Sequence, residues 1–460
     1  MPKDLGSFLT RIRREFPREL LDVKKPIRPH MWEVSALLKH LEDQGRFPIT
    51  VFHNPKNLLD KDSAFPLVMN LFASRERCAL ALGLPPERSR LEMSLEFARR
   101  EQRRVDPKVM PEDRAPVKEV IEKGARIDLR KFPIPRLHHM DLGCYTTMPC
   151  IMRDPDEGFY DVTFVKCMYK QPRRMVASIE LPHLRRIFEK YEERKQPAPF
   201  VTILGHHPAF LLGSLALTEF GNDDYETIGS YLGEPVRLTP SETWGKDFLV
   251  PADAEIVIEG LLPPGVREIC NPFGEVTGHY QPQWLMPVLD VKAVTYRENA
   301  LFQGIFSGHL GHWILGTIPK EGSLFNALKK IYPHVTAVHL PVSGCGRFAC
   351  YISVKKRREG VAKTLGMAAL LNSPLLQWAV IVDDDIDVFK EREVVYALIT
   401  CVNPARDVDV VENVFNLFTT ALGHRKVIID ATRPLDVPFP ERIKVPEAAL
   451  ARVKLEDFLT

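Results

Sequence analysis

The sequence lacks an apolar run of the roughly 18 residues a membrane span requires, and Met1 to Gly6 contain no apolar core of the signal-peptide kind. It therefore reads as a cytoplasmic chain without a membrane span. Charge of one sign is also missing. With 62 Lys and Arg against 60 Asp and Glu, a net +2 gives no field to gather nucleic acid or an anionic surface. The 8 cysteines form no Cys-x-x-Cys pair, which favours reduced thiols over a disulfide framework. Neither a Walker A loop nor Gly-x-Gly-x-x-Gly occurs, so ATP and NAD in their commonest folds are disfavoured. Internal repeats, low-complexity tracts and heptads are absent as well.

What is present is ordinary globular material, 460 residues with 45% apolar and 27% charged side chains, enough for about three domains at roughly 150 residues each. The 38 prolines are dispersed and point to a loop-rich architecture. Leu5, Phe8, Leu9, Ile12 and Phe16 recur at helical spacing behind Asp4, a candidate N-cap. A second helix follows over Val34 to Leu41, then a β-rich run from Phe47 to Phe52 and a helix capped by Ser74. Short strand-like runs dominate the middle: Asp161 to Met168, Met175 to Ile179, Phe200 to Leu204, Glu255 to Gly260 and Pro287 to Tyr296. A helix is expected from His183 to Glu192. Strands and helices alternate after residue 330. The expected fold class is thus α/β, more fully multidomain α+β: an α/β domain over 1–115, a β-barrel domain over 116–325 and an α/β domain over 326–460.

Several residues are candidates for chemistry. In Asn271-Pro-Phe-Gly-Glu-Val-Thr-Gly-His-Tyr280, glycines and a proline bracket Glu275, as in a rigid loop that presents a catalytic group; a solvated hairpin carboxylate is the competing reading. On the strand Tyr160 to Lys166, alternation sends Asp161, Thr163 and Val165 to one face and Val162, Phe164 and Lys166 to the other. Asp161, His183 and Asp224 form an oxygen, nitrogen and oxygen set suited to a divalent ion, although no short spacing rule links them. The acidic run Asp383 to Asp385 reads as a solvated loop before a metal site. His138-His139 and His206-His207 have no helical partner histidine that would make zinc ligands.

An ordered series of segments resembles the UbiD family of reversible carboxy-lyases, which use prenylated FMN. The segments are Asn70-Leu-Phe-Ala-Ser-Arg-Glu-Arg77 with Ala79 to Gly83, Pro133-Ile-Pro135 leading to Gly143-Cys-Tyr-Thr146, Pro272-Phe-Gly-Glu275 with Gly278, and Val382-Asp-Asp-Asp-Ile-Asp387. They cover nearly the whole chain. The resemblance implies an N-terminal α/β domain, a central split barrel similar to flavin reductases, and a C-terminal α/β domain with an oligomerisation tail. Cofactor-binding residues would be Asp161, Val165, Lys166, His183, Ser214 and Asp224. Among these, Asp161, His183 and Asp224 would hold a divalent ion, commonly Mn2+, and Ser214 would lie by K+ and the phosphate.

The family's catalytic Glu-Arg-Glu network would survive in one member, Glu275, with Lys166 at the Arg position and Cys270 at the first Glu. A lysine has no planar fork, and a neutral thiol brings no fixed negative charge. The implied activity is decarboxylation, or in reverse carboxylation, of an aromatic, phenolic acid, with a flavin prenyltransferase as cofactor supplier. Expected assemblies are a homo-oligomer, dimer to hexamer, or a hetero-oligomer with a homologous chain. The alternative is a catalytically silent subunit of such a hetero-oligomeric carboxylase, favoured by the altered network.

Overall fold

The computed structural model describes residues 3–216, 218–415 and 424–458, so Met1 and Pro2 of the opening segment lie outside it. Three of the five sheets among the described residues organise the chain, and the first is not built from consecutive sequence. Strands Leu20–Val23, Ile49–Phe52 and Leu67–Met69 are joined by Phe302–Gln303, which returns from far downstream to pair in parallel with Leu67–Met69. Around them pack the helices Leu5–Glu15, Glu33–Asp43, Arg75–Ala81 and Leu91–Glu101. Asp4 caps the first by accepting from the Ser7 amide at 2.7 Å, and Leu5, Phe8, Leu9 and Ile12 form its buried stripe.

The middle of the chain closes on itself. In order, Ile256–Leu262, Ala198–Leu204, Tyr145–Arg153, Tyr160–Gln171, Arg174–Ser178 and Trp284–Tyr296 pair antiparallel, and the last pairs back to the first. This is a six-stranded barrel, a closure that leaves no unpaired edge among these strands. The strand Tyr145–Arg153 carries Pro149 and is buried on both faces for most of its length, so its sequence shows no alternation. The helix Pro182–Glu193 runs outside the barrel with Leu184, Ile187 and Phe188 turned inward.

The third sheet orders as Val335–His339, Ala349–Val354, Trp378–Asp383, Arg425–Ala431 and Val408–Glu412, with its three central strands parallel. Helices Val361–Asn372 and Glu391–Cys401 flank it. Joining barrel to sheet is one continuous helix, Leu310–Ile331, which runs through the expected junction at 325. Its sequence disguises it: Gly311, Gly316, Gly322 and Pro319 interrupt helical propensity, and apolar residues lie on more than one face. Tertiary packing replaces propensity here. Gly322 lies against the backbone of Ala98, and buried Glu321 accepts two hydrogen bonds from Arg75, at 3.1 and 2.8 Å, and one from Ser94 at 2.8 Å.

Candidate active site

Lys166 is the hub of the site. It lies on the barrel strand Tyr160–Gln171, where its Cα pairs with that of Ser178 on the next strand. Two residues past Ser178, the connection into the helix Pro182–Glu193 carries Glu180. Lys166 Nζ donates to Glu180 Oε1 at 3.2 Å, to Gln281 Oε1 at 2.9 Å and to Glu275 Oε1. Gln281 Nε2 completes the ring by donating to Glu180 Oε2 at 3.0 Å, and Ser178 Oγ donates to Glu180 Oε1 at 2.5 Å. Burial alone would depress the Lys166 ammonium, but the carboxylates of Glu275 and Glu180 outweigh it and hold its pKa above the ordinary value. Burial opposes ionisation of Glu180 too, and Lys166, Ser178 and Gln281 together keep its carboxyl below the usual range. Lys166 is therefore a retained positive charge between two carboxylates.

The Glu275 loop is fixed from several sides. Glu275 Oε2 accepts from the Val276 amide at 3.0 Å, and Trp313 of the long helix donates through Nε1 to Val276 O at 2.8 Å. Gly308 has φ +67°, and a Cβ there would stand 2.8 Å from Glu275 O, so glycine is required for the two loops to touch. Glu275 is 7% exposed. The solvated-hairpin reading is thereby corrected: packing of a second loop and a helix against the turn removes this carboxylate from solvent.

Cys270 sits in a buried cluster with Tyr145, Met168 and Phe273. Its thiol, pushed up to about 11 by burial, approaches Asn271 Oδ1 at 3.8 Å and makes no hydrogen bond to Lys166 or Glu275. Cys270 thus brings Lys166 no fixed negative charge, yet the lysine has two carboxylate partners rather than Glu275 alone. Glu180, which no motif marks, supplies the second one. Only the strand register that sets Ser178 beside Lys166 reveals it.

A second cluster lies five residues back along the same strand. His183 Nδ1 stands 3.6 Å from Asp161 Oδ2, and Asp224 Oδ2 accepts from the Val162 amide at 2.8 Å while Thr218 donates to its other oxygen at 2.9 Å. Asp161 Oδ1 is buried with no hydrogen-bond partner among the described residues. Burial first, and then the neighbouring charge of Asp161, raises the Asp224 carboxyl well above its ordinary value. Among the described residues no Lys or Arg pairs with either aspartate, and no three His, Cys, Asp or Glu side chains are already gathered at metal-binding distances. Two adjacent carboxylates, one with an orphaned oxygen, beside an imidazole are nevertheless a donor set that fits a divalent cation.

The remaining candidates lie apart from these hydrogen bonds. Val165 is buried at the pairing position of Met148. Ser214 ends the short helix Pro208–Gly213, and its hydroxyl donates to Leu211 O at 2.9 Å. Asp383 and Asp385 are taken up by Arg433 at 2.9 Å each, consistent with a structural role. His206 and His207 are buried, and burial lowers both imidazoles. A separate cavity of about 640 Å³ between the N-terminal helices and the C-terminal sheet, lined by Arg46, Arg75, Phe389 and others, contains neither Lys166 nor Glu275.

With fold and site in place, comparison defines the class. Residues 13–95, 108–310 and 313–431 match the N-terminal, Rift-related and C-terminal domains of 3-octaprenyl-4-hydroxybenzoate carboxy-lyase. The chain belongs to the UbiD family. It is 33% identical over 68% of its length to anhydromevalonate phosphate decarboxylase of Methanothermobacter thermautotrophicus, covering 75% of that protein. It is 30% identical over 94% of its length to phenolic acid decarboxylase of Streptomyces sp. strain D7, covering 92% of that chain. An evolved dimeric form of the UbiD-class enzyme HmfF from Pelotomaculum thermopropionicum, solved in complex with prFMN, superposes over 100% of both chains with TM-score 0.88 and 34% identity. The relatives are decarboxylases, and the mixed α/β fold with its closed barrel is that of UbiD-class enzymes. Among the described residues no helix is long and apolar enough to cross a membrane.

Proposed function

We propose that this chain is a prenylated-FMN-dependent carboxy-lyase that removes a carboxyl group from an aromatic, phenolic acid, and in reverse adds one. The observation that carries the reading is Lys166 held between Glu180 and Glu275 on the barrel strand that also carries Asp161. Five residues of strand separate the two clusters by about 17 Å, a span that suits a flavin mononucleotide lying along the barrel. Asp161, His183 and Asp224 would hold Mn2+ against the cofactor phosphate, Ser214 would stand by K+, and Val165 and Lys166 would line the cofactor. When bound, prenylated FMN supplies an electron sink for the carbon from which carbon dioxide departs.

The chain supplies the proton and the positioning. Glu275, protonated from solvent once the substrate carboxylate takes its place on Lys166, would deliver that proton to the carbon left behind and take it back in the carboxylation direction. Lys166, kept charged by Glu180, neutralises the substrate carboxylate and holds Glu275 in place. Glu180 does the work that a carboxylate at position 270 would do, and this favours a catalytic chain over a silent subunit. We place the domain junctions near 115 and 325, with a flavin prenyltransferase as cofactor supplier and oligomers from dimer to hexamer.

The test is native mass spectrometry with an absorption spectrum, on protein co-expressed with a flavin prenyltransferase and supplied with manganese and potassium. About one prenylated FMN per chain, with carbon dioxide release from phenolic acids, is the expected result, because a complete site retains its cofactor. A folded but empty chain would instead support the silent-subunit reading.

A further inference from the structure

The long helix Leu310–Ile331 carries polar side chains that the acid network does not use. His312, Gly316 and Lys320 follow one another at four-residue spacing and share a face of the helix. Arg347 reaches that face from the loop before Ala349–Val354. A Cβ on Gly316 would stand 2.2, 2.4 and 2.8 Å from Nη2, Cζ and Nε of Arg347, so the guanidinium lies flat against the helix where a side chain is missing. Gly346 makes that approach possible: at φ +64° it rests against Thr317 and the Trp313 carbonyl, where a Cβ would collide at 2.2 and 2.5 Å.

This arginine is only 8% exposed, yet its side chain has no hydrogen bond and no ion pair among the described residues, and Nη1 is buried without a partner. Among the described residues other buried cations have partners: Arg77 pairs with Glu19, Lys118 with Glu242 and Lys166 with two carboxylates, while Lys426 donates to the Leu370 and Pro374 carbonyls. Glu275 is the carboxylate whose charge bears on Arg347, and it is already committed to Lys166. Lys320 likewise has no hydrogen bond or ion pair among the described residues, and burial, with Arg347 adding to it, lowers its ammonium to about 7. His312 Nδ1 accepts the Gly308 amide at 3.1 Å, which puts the ring hydrogen on Nε2 and leaves that nitrogen as a donor. Desolvated cations without counter-charge are unfavourable unless an anion completes them.

We infer that Arg347, Lys320 and His312 form a subsite for a second anionic group of the substrate, a carboxylate or a phosphate, remote from the carboxyl that is lost. The inference rests on the proposed carboxy-lyase site and narrows its substrate class to dianionic acids. A planar guanidinium backed by a helix suits two-point recognition of an oxyanion, with Lys320 adding charge and His312 Nε2 a neutral donor.

The experiment measures binding of matched acids to the full chain loaded with prenylated FMN by titration calorimetry, with carbon dioxide release followed in parallel. The probes are 4-hydroxybenzoate and two acids with two anionic groups each, called dianions for those two groups, 4-hydroxyisophthalate and 4-carboxyphenyl phosphate. One of the two dianions is expected to bind about tenfold more tightly than the monoacid, and which one it is separates carboxylate from phosphate recognition. That ratio should fall to near one in Arg347→Gln and by about threefold in Lys320→Gln. Gly316→Ala, which displaces the guanidinium without removing its charge, should also lower the ratio, and it keeps the test decisive if Arg347→Gln fails to fold.

Equal binding of monoacid and dianions, no binding of any probe, or a preference that survives Lys320→Gln and Gly316→Ala overturns the subsite. The two readings fail separately. Monoacid turnover without dianion preference leaves the carboxy-lyase and removes the subsite. Selective dianion binding without carbon dioxide release does the reverse.

Discussion

Gln281 donates through Nε2 to Glu180 Oε2 at 3.0 Å and accepts Lys166 Nζ on its own carbonyl oxygen at 2.9 Å, so one amide sets both the carboxylate and the ammonium of the network. Residues 101 positions apart thus act together in the site. Glu180→Gln should keep the shape of the ring but remove half of the charge that holds Lys166 ionised. We expect kcat to fall by about 10- to 100-fold with flavin content retained. Steady-state kinetics beside the absorption spectrum checks this, and unchanged kcat would show that Glu180 is a bystander.

Glu275→Gln should abolish carbon dioxide release and carbon–hydrogen exchange at the substrate carbon, because the amide has no proton to deliver. Its loop is anchored by Trp313 and Gly308 independently of the carboxyl charge, so melting temperature and cofactor content should stay near those of the parent. Deuterium exchange followed by NMR reads the chemical step directly. Exchange at the parental rate would remove Glu275 from the acid role.

His183→Ala removes the imidazole that stands 3.6 Å from Asp161. Both manganese and flavin content of the purified chain should drop, with the barrel intact, since the ring lies on an outer helix and is 37% exposed. Metal analysis and absorption give the two contents. Full occupancy of both would show that the phosphate end of the cofactor is held elsewhere.

The buried Glu321 links the N-terminal helices to the C-terminal sheet. Burial would raise its carboxyl, but Arg75 and His339 outweigh it and hold the pKa at about 2, against an ordinary value of 4.5. A carboxyl depressed on folding contributes stability that is present above its unfolded pKa and lost as pH falls toward the folded one. The loss should therefore lie between pH 4.5 and 2 and amount to about 3 kcal/mol. Thermal unfolding across that range, compared with Glu321→Gln, is the check: the variant should begin less stable at pH 6 and lose less on acidification.

Much of the secondary structure was written in local periodicity. The stripe Leu5, Phe8, Leu9 and Ile12 behind Asp4 became the helix Leu5–Glu15, and the runs around Val162, Val176, Val201 and Ile258 became barrel strands. Periodicity failed where burial is two-sided or propensity is overridden, in the strand Tyr145–Arg153 and the helix Leu310–Ile331. Both are shaped by neighbours distant in sequence.

The candidate site divides in the same way. Residue identity alone marked Glu275, Lys166, Asp161, His183 and Asp224, since the resemblance lies in chain order and residue type. Sequence by itself also determined that Lys166 lacks a guanidinium's fork and that Cys270 lacks a carboxylate. Only the tertiary structure decided what takes their place. The register of the hairpin between Tyr160–Gln171 and Arg174–Ser178 sets Ser178 beside Lys166, the folding of the Glu275 loop onto that strand completes the ring with Glu180, and the packing of the long helix leaves Arg347 buried across Gly316 without a partner among the described residues. Side-chain periodicity is a local property of a few residues, whereas charge pairing depends on which strands meet. That meeting is fixed by non-local hydrogen bonding and burial, to which a single segment of sequence is blind.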